Sequence, residues 1–194
     1  AYPVNDKIME LLIMMDAAKR ASAGRITAII PYYAYGRTDK KDQPRVPITA
    51  RLVADLVTTA GADRVLTVDL HAGQIQGFFN IPVDELTALP ILARYFREKE
   101  MPDLVVVATD VGAARRARDM ARLLNASVAI VEKERVGNEE RVEALSLIGE
   151  VADRTALIVD DEIVTGGTMF AAVDLLLKRG AREVYATCTH GVFS

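Results

Sequence analysis

The most chemically informative stretch of this sequence runs from Ala156 to Thr168. Four apolar residues, 156–159, predict a buried strand, and two carboxylates, Asp160 and Asp161, follow it. A Thr-Gly-Gly-Thr turn then opens an amphipathic helical pattern over residues 169–178. Glycines let a backbone approach an anion closely, and the first turn of a helix presents free N–H groups and the positive end of its dipole. The stretch therefore predicts a phosphate site, formed by Thr165, Gly166, Gly167 and Thr168.

The paired carboxylates indicate what bears that phosphate. Ionised Asp160 and Asp161 only accept hydrogen bonds, so they suit the hydroxyl donors of a sugar and would repel a bare phosphate. The pair therefore predicts a phosphorylated ribose. The alternative is a strand, a tight turn and a helix without any ligand, which is a common connection in α/β proteins. The adjacent like charges favour the ligand, because two neighbouring carboxylates repel each other and need a reason to be there.

Composition narrows the class of protein. The chain has 194 residues, of which 51% are hydrophobic and 26% charged, enough to bury a core as one large domain or two small ones. Cys188 is the single cysteine, which excludes an internal disulfide. No run approaches the roughly 18 apolar residues of a membrane span, and no basic and apolar leader opens the chain. We therefore expect a cytoplasmic protein without a membrane partner, and the net charge of −3 argues against a nucleic-acid partner.

Apolar runs that predict strands alternate with helical patterns along the chain, which predicts an α/β fold with parallel sheets flanked by helices. The predicted strands are residues 26–31, 65–70, 104–108, 128–131, 156–159 and 184–187, and the predicted helices are residues 8–21, 49–60, 91–97, 114–124 and 169–178. Gly61 and Gly180 are placed to end helices. Two prolines between residues 81 and 90 break the alternation. We expect the chain to divide there into two units, residues 1–86 and 87–194.

Ligands of open parallel sheets bind beyond the carboxyl ends of strands. The predicted strands are followed there by a further set of charged or polar side chains, namely Arg37, Lys40, Lys41, His71, Asp110, Lys133 and Arg135. Each has a structural alternative. The three cations of residues 37–41 could pair with Asp39 and Asp42, His71 could be a structural imidazole, and Asp110 could cap the following helix. Residues 132–135 could be a solvated charge run, although an extended segment would point Lys133 and Arg135 the same way.

Motifs spread over nearly the whole chain resemble those of the ribose-phosphate pyrophosphokinases, also called phosphoribosyl pyrophosphate synthetases. The matching stretches are Pro3-Val4-Asn5-Asp6, Ile30-Pro31-Tyr32-Tyr33, Arg37 with Asp39-Lys40-Lys41, Pro47-Ile48-Thr49-Ala50, Asp69-Leu70-His71-Ala72, Gln74-Ile75-Gln76-Gly77-Phe78-Phe79, Val159-Asp160-Asp161 and Thr189-His190-Gly191-Val192-Phe193-Ser194. The segment from His71 to Phe79 is specific to that family. The Asp160 turn is shared with phosphoribosyltransferases.

This resemblance implies two related phosphoribosyltransferase-like units and transfer of the diphosphoryl group of ATP to ribose 5-phosphate, with Mg2+ accompanying the nucleotide. It implies that Arg37, Lys40, Lys41 and His71 bind ATP and that His71 and Asp110 bind the metal. The turn at Thr165–Thr168 would hold the 5-phosphate, and Asp160 and Asp161 the ribose hydroxyls. Lys133 and Arg135 match a mobile catalytic loop. The family is built from dimers that assemble further, with a hexamer as one form, so we expect a homo-oligomer.

Four positions depart from the family pattern. Val164 stands where many members have an aspartate facing the ribose, Thr38 and Gln43 replace glutamine and a basic residue, and Ala113 replaces a glycine. The family also normally has further segments before Pro3 and after Ser194. Two other functions therefore stay open. One is a catalytically weakened homologue that regulates active subunits, and the other is a phosphoribosyltransferase, which would not need the segment from His71 to Phe79.

Overall fold

The computed structural model describes residues 3–135 and 143–193, and the chain divides into two compact units after Thr87. The first unit contains α1 (Val4–Arg20), β1 (Thr27–Ile30), α2 (Thr49–Thr59), β2 (Arg64–Val68), a 3-10 helix (Gly73–Phe78) and β3 (Val83–Leu86). Its three strands are parallel in the order β1-β2-β3. The predicted α/β fold, with parallel sheets flanked by helices, is confirmed.

Both long helices of the first unit pack on one face of its sheet. That face presents Ala28 of β1 and Val65 of β2, neighbours in register, to Met15 of α1 and Val57 of α2. The opposite face has exposed apolar side chains at Ile29 (63%) and Leu86 (51%). The helices of this unit therefore bury one side of the sheet.

Strand β3 was not predicted from the sequence. Residues 83–86 pair in parallel with β2 and are the third strand of the first sheet, within the stretch where the sequence predicted only a break in the alternation. The short strand was missed because Asp84 and Glu85 interrupt its apolar pattern and prolines flank it. Asp84 is nevertheless held in place by Arg64 of β2, whose guanidinium lies 2.5 Å from its carboxylate.

The second unit contains α3 (Leu89–Glu98), β4 (Leu104–Ala108), α4 (Ala114–Leu124), β5 (Ser127–Arg135), β6 (Glu143–Ile148), β7 (Thr155–Ile163), α5 (Gly167–Lys178) and β8 (Glu183–Gly191). Its strand order is β6-β5-β4-β7-β8, and only β6 is antiparallel to its neighbour. Val105 and Ile158 face α5, while Val106 and Leu157 face α3 and α4. Helices thus cover both faces of this sheet, and their apolar contacts hold β4 and β7 at its centre.

Two strands continue further than the sequence predicted. β7 continues through Ile163, because β8 still pairs with it at Glu162 and Ile163. β5 continues to Arg135, because β6 pairs with it from Ile130 onward. The sequence missed β6, and with it the partner that extends β5. Residues 136–141, the rest of the predicted catalytic loop that begins at Glu132, lie outside the described residues.

The helices of the described residues are too short or too polar to cross a bilayer.

Candidate functional site

The two predicted sugar-binding carboxylates lie on β7 of the second unit. The apolar part of β7 pairs with β4 as far as Val159 and Ala108, and β7 then continues beside β8, where Asp160 is in register with Cys188. The carboxylates were expected after the strand and are instead within it. Asp160 is half-buried and Asp161 is 8% exposed. Asp160 is therefore the more accessible of the two carboxylates.

Thr109, which directly follows β4, is a hydrogen-bond donor to Asp160. Its hydroxyl donates a hydrogen bond to Oδ2 of Asp160 at 2.9 Å, and Oδ1 of the same carboxylate accepts the backbone N–H of Asp161 at 2.9 Å. Each carboxylate oxygen has two lone pairs, so these two hydrogen bonds leave acceptor capacity on the carboxylate. Thr109 was not predicted from the sequence as a site residue. The signal in the sequence was a hydroxyl residue directly after β4, because β4 is the neighbour of the strand that bears the two carboxylates.

Burial raises the pKa of Asp160 to about 7. Loss of hydration is the main cause, and the neighbouring Asp161 adds to it, while the hydrogen bond from Thr109 acts in the opposite direction. The carboxyl therefore exchanges its proton near neutral pH. Cys188 lies opposite Asp160 on the neighbouring strand β8. Burial and the charges of Asp160, Asp161 and Glu162 raise the pKa of its thiol, so the thiol stays protonated at neutral pH.

The predicted phosphate turn lies at the start of α5. Gly166 precedes the helix with a φ of 79°, a left-handed conformation in which side chains are strained, and an added Cβ there would lie 3.1 Å from the ring of Phe170. The N–H of Phe170 makes a helical bond to the carbonyl of Gly166 at 2.8 Å, and no side chain caps the preceding turn. Thr165, Gly167 and Thr168 are exposed. The arrangement is a helix N-terminus suited to an anion.

Asp110 is exposed next to Thr109, and its Oδ1 accepts the N–H of Ala113 at 2.8 Å. Ala113 is the residue that precedes the first turn of α4. Asp110 therefore accepts a backbone N–H at the start of that helix, in line with the structural role that the sequence also allowed. That bond uses one oxygen of the carboxylate and leaves Oδ2 for a ligand. Asp110 can therefore serve the turn and a ligand together.

In the first unit, Gly36 brings the loop that bears Arg37 against His71. A Cβ at Gly36 would lie 3.5 Å from the Cβ of His71, so the two segments approach closely. The amide of Gln74 also donates to the carboxylate of Asp39, which is 7% exposed. Asp39 thus ties the loop to the 3-10 helix rather than serving as a surface partner for the cations. Within the described residues, Lys40 and Lys41 are exposed and form no ion pair.

Glu85, at the end of β3, holds the segment that contains His71. One carboxylate oxygen accepts the N–H of Leu70 at 3.0 Å, and the other accepts the side-chain amide of Gln76 at 2.5 Å. Glu85 was not predicted from the sequence as a site residue, because β3 itself was not predicted. Tyr33, by contrast, is a core residue: its hydroxyl donates to the carbonyl of Ala50 at 2.9 Å, its ring packs edge-to-face on Phe79, and burial raises its pKa.

The remaining predicted residues are placed only in part. Lys133 and Arg135 lie on β5, two positions apart on an extended strand, and their side chains are outside the described part of the structure. His71 belongs to the first unit and Asp110 to the second. Across residues 3–135 and 143–193, no three His, Cys, Asp or Glu side chains cluster as a metal site.

Comparisons with known proteins identify both units. Residues 1–61 match the N-terminal domain of ribose phosphate pyrophosphokinase, and residues 85–192 match the phosphoribosyl transferase domain. Ribose-phosphate pyrophosphokinases from Clostridium acetobutylicum and Bacillus caldolyticus are 57% and 53% identical to this chain, over 99% and 100% of it. The chain spans about 60% of the length of these curated relatives. The crystal structure of phosphoribosylpyrophosphate synthetase from Mycobacterium smegmatis aligns over 100% of this chain and 63% of its own, with 47% identity and a TM-score of 0.92.

Proposed function

The chain belongs to the ribose-phosphate pyrophosphokinase family, and we propose that it transfers the diphosphoryl group of ATP to ribose 5-phosphate, giving phosphoribosyl pyrophosphate and AMP. In this reaction the anomeric hydroxyl loses its proton and attacks the β-phosphorus, and AMP leaves with the oxygen that joined the α- and β-phosphates. The main support is a single arrangement in the second unit. An accessible carboxylate on β7 is followed by an uncapped, glycine-containing helix N-terminus.

The ribose 5-phosphate would bind with its phosphate at Thr165, Gly166, Gly167 and Thr168, where backbone N–H groups at the start of α5 lack side-chain caps. Asp160 and Asp161 would accept hydrogen bonds from the sugar hydroxyls. A phosphate at the turn and hydroxyls at the carboxylates define opposite ends of the same sugar. The two ends together would orient the anomeric hydroxyl for attack, and positioning of this kind provides much of the catalysis in phosphoryl transfer.

Arg37, Lys40, Lys41 and His71 would bind ATP from the first unit. The contact of Gly36 with His71 supports joint action of Arg37 and His71, because it holds their segments together. Mg2+ would be held by Asp110, whose carboxylate is the kind of oxygen ligand that this ion prefers, with His71 as the second predicted ligand and a nitrogen donor. The ion would neutralise charge on the nucleotide phosphates. Lys133 and Arg135 would stabilise negative charge that accumulates on the transferring group.

We also propose that the protein acts in the cytoplasm as a dimer-based homo-oligomer, without nucleic-acid or membrane partners. The apolar side chains of Ile29 and Leu86 on the open face of the first sheet support self-association. Light scattering over a range of concentrations tests this proposal. A monodisperse monomer at high concentration would contradict it.

The proposed activity is tested by AMP release from ATP that depends on ribose 5-phosphate and Mg2+, together with calorimetry of ribose 5-phosphate binding. Asp161→Asn should weaken binding without unfolding the chain, because it keeps the shape and removes the charge. Asp174→Asn is the matched control, since it removes the same charge from an exposed position on α5.

Three outcomes separate the candidate functions. AMP release that requires all components supports the pyrophosphokinase. Binding of ribose 5-phosphate without AMP release would instead favour the catalytically weakened homologue, consistent with Val164 in place of an aspartate. Absence of both would refute the sugar-phosphate site. The match of residues 1–61 to the pyrophosphokinase N-terminal domain already argues against a simple phosphoribosyltransferase.

A further inference from the structure

Thr109 joins two neighbouring strands at the edge of the sheet where the sugar is proposed to bind. Ala108 of β4 is in register with Val159 of β7, so Thr109 and Asp160 occupy the next position on each strand. The Thr109 side chain is almost fully buried, with 3% of the residue exposed, and its hydroxyl donates to Oδ2 of Asp160 at 2.9 Å. The other carboxylate oxygen accepts the N–H of Asp161. Asp160 therefore accepts one hydrogen bond from the protein on each oxygen, and the Asp161 side chain is a further hydrogen-bond partner.

We propose that Thr109 is a positioning residue for ribose 5-phosphate, whose hydroxyl fixes the orientation of the Asp160 carboxylate that accepts the sugar hydroxyls. This inference rests on the proposed function, because it requires Asp160 to contact the sugar. Each carboxylate oxygen has two lone pairs, so the bonds from Thr109 and from the Asp161 N–H leave acceptor capacity on the carboxylate for a ligand. Without the Thr109 donor, the torsion that sets where this capacity points would lose its restraint from the neighbouring strand β4.

A purely structural role is the competing explanation, since a buried hydroxyl usually has a hydrogen-bond partner somewhere. The two roles differ in what they affect. If the hydroxyl only supports the fold, its removal should weaken the binding of every ligand of this unit alike. A positioning hydroxyl acts through Asp160 and would change binding of the sugar hydroxyls while leaving the phosphate turn at α5 intact. Ribose 5-phosphate and inorganic phosphate therefore distinguish the two roles.

The test compares Thr109→Val, which keeps the shape and removes the donor, with Thr109→Ser, which keeps the donor. Calorimetry on the full 194-residue chain measures binding of ribose 5-phosphate and of inorganic phosphate. We expect Thr109→Val to weaken ribose 5-phosphate about tenfold, the usual effect of losing one hydrogen bond to a charged group, and Thr109→Ser to restore it to within about twofold. Inorganic phosphate should bind equally well to all three proteins. In an Asp160→Asn background, Thr109→Val should have little further effect.

Equal affinity of wild type and Thr109→Val for ribose 5-phosphate would overturn the inference and leave the proposed function intact. So would a parallel loss of inorganic phosphate binding, or a failure of Thr109→Ser to restore affinity. If Thr109→Val does not fold, Thr109→Ala removes the same donor with less bulk, and it must show the same selective loss. A wild-type chain that binds no ribose 5-phosphate overturns both the inference and the function on which it rests.

Discussion

Replacing Asp160 with asparagine should change how the stability of the second unit depends on pH. In the wild type the folded carboxyl has a pKa of about 7, against an ordinary value of 3.8. Between these values the folded state holds a proton that the unfolded state has lost, so raising the pH destabilises the fold. That contribution is fully present below about pH 4 and is lost as the pH rises through about 7. Each unit of pKa difference corresponds to about 1.4 kcal/mol.

The magnitude follows from these two values. At pH 5 the unfolded carboxyl is already mostly ionised and the folded one is still protonated. Between pH 5 and pH 8 the wild type should therefore lose about 2 to 3 kcal/mol of its free energy of unfolding from this group. Asp160→Asn has no proton to lose. Its amide oxygen can still accept the N–H of Asp161, and its NH2 can donate to the hydroxyl of Thr109, which can rotate to accept.

The assay is urea unfolding at several pH values, followed by hydrogen exchange of peptides from β7 so that the second unit is observed by itself. The free energy of unfolding of Asp160→Asn, relative to wild type, should rise by about 2 to 3 kcal/mol from pH 5 to pH 8. Titrating groups that do not interact with Asp160 are common to both proteins and cancel in that difference, whereas Asp161 and Cys188 interact with it and contribute to the result. Asp174→Asn controls for the change in net charge. A difference that stays constant across this range would refute the assignment of a raised pKa to Asp160.

Three further substitutions test separate parts of the site and the fold. In Gly167→Val, the new Cβ would have only Thr165 Oγ1 nearby, at 3.9 Å, so the melting temperature should not change. The branched side chain should block the approach of the 5-phosphate, and calorimetry should show at least about tenfold weaker binding of ribose 5-phosphate. Lys133→Ala should lower the rate of AMP release by about 100-fold or more and leave ribose 5-phosphate affinity unchanged, because a charge that stabilises the transition state adds little to the ground state; equal losses in both would contradict that role. Thr67→Val should raise the free energy of unfolding by about 1 kcal/mol, since the buried Thr67 hydroxyl lacks a hydrogen-bond partner within the described residues, and a destabilised variant in urea titration would contradict this.

The sequence predicted the core strands of both units well, because buried parallel strands are continuous apolar runs bounded by turn residues. The runs at 104–108 and 156–159 became β4 and the first part of β7. It predicted the ends of strands poorly. Asp160 to Glu162 and Glu132 to Arg135 are charged, and they are extended because of their partners β8 and β6, which local composition does not report. For the same reason β3 and β6, both at sheet edges, were missed.

Residue types at the candidate site were easier to predict than their environments. Glycines before a helix and an acidic pair after an apolar run are local signals, so the Gly166 turn and Asp160 could be found in the sequence. The hydroxyl of Thr109 and the carboxylate of Glu85 act on residues 51 and 15 positions away, respectively, and only the fold brings these partners together. The loop that bears Arg37 was predicted only in part. Asp39 was expected to be a surface charge that could pair with the neighbouring cations, but it is buried and accepts a hydrogen bond from Gln74.

The single cysteine gives this chain a built-in chemical reporter. Cys188 is half-buried on β8, in register with Asp160, and no other thiol competes for a reagent. Because burial and three neighbouring carboxylates raise its pKa, alkylation should be slow at neutral pH and should accelerate as the thiolate forms. The rate of modification would then follow local separation of β7 from β8 in the native protein, without any engineered label. A sugar phosphate that stabilises the pairing of β7 with β8 would slow the alkylation of Cys188.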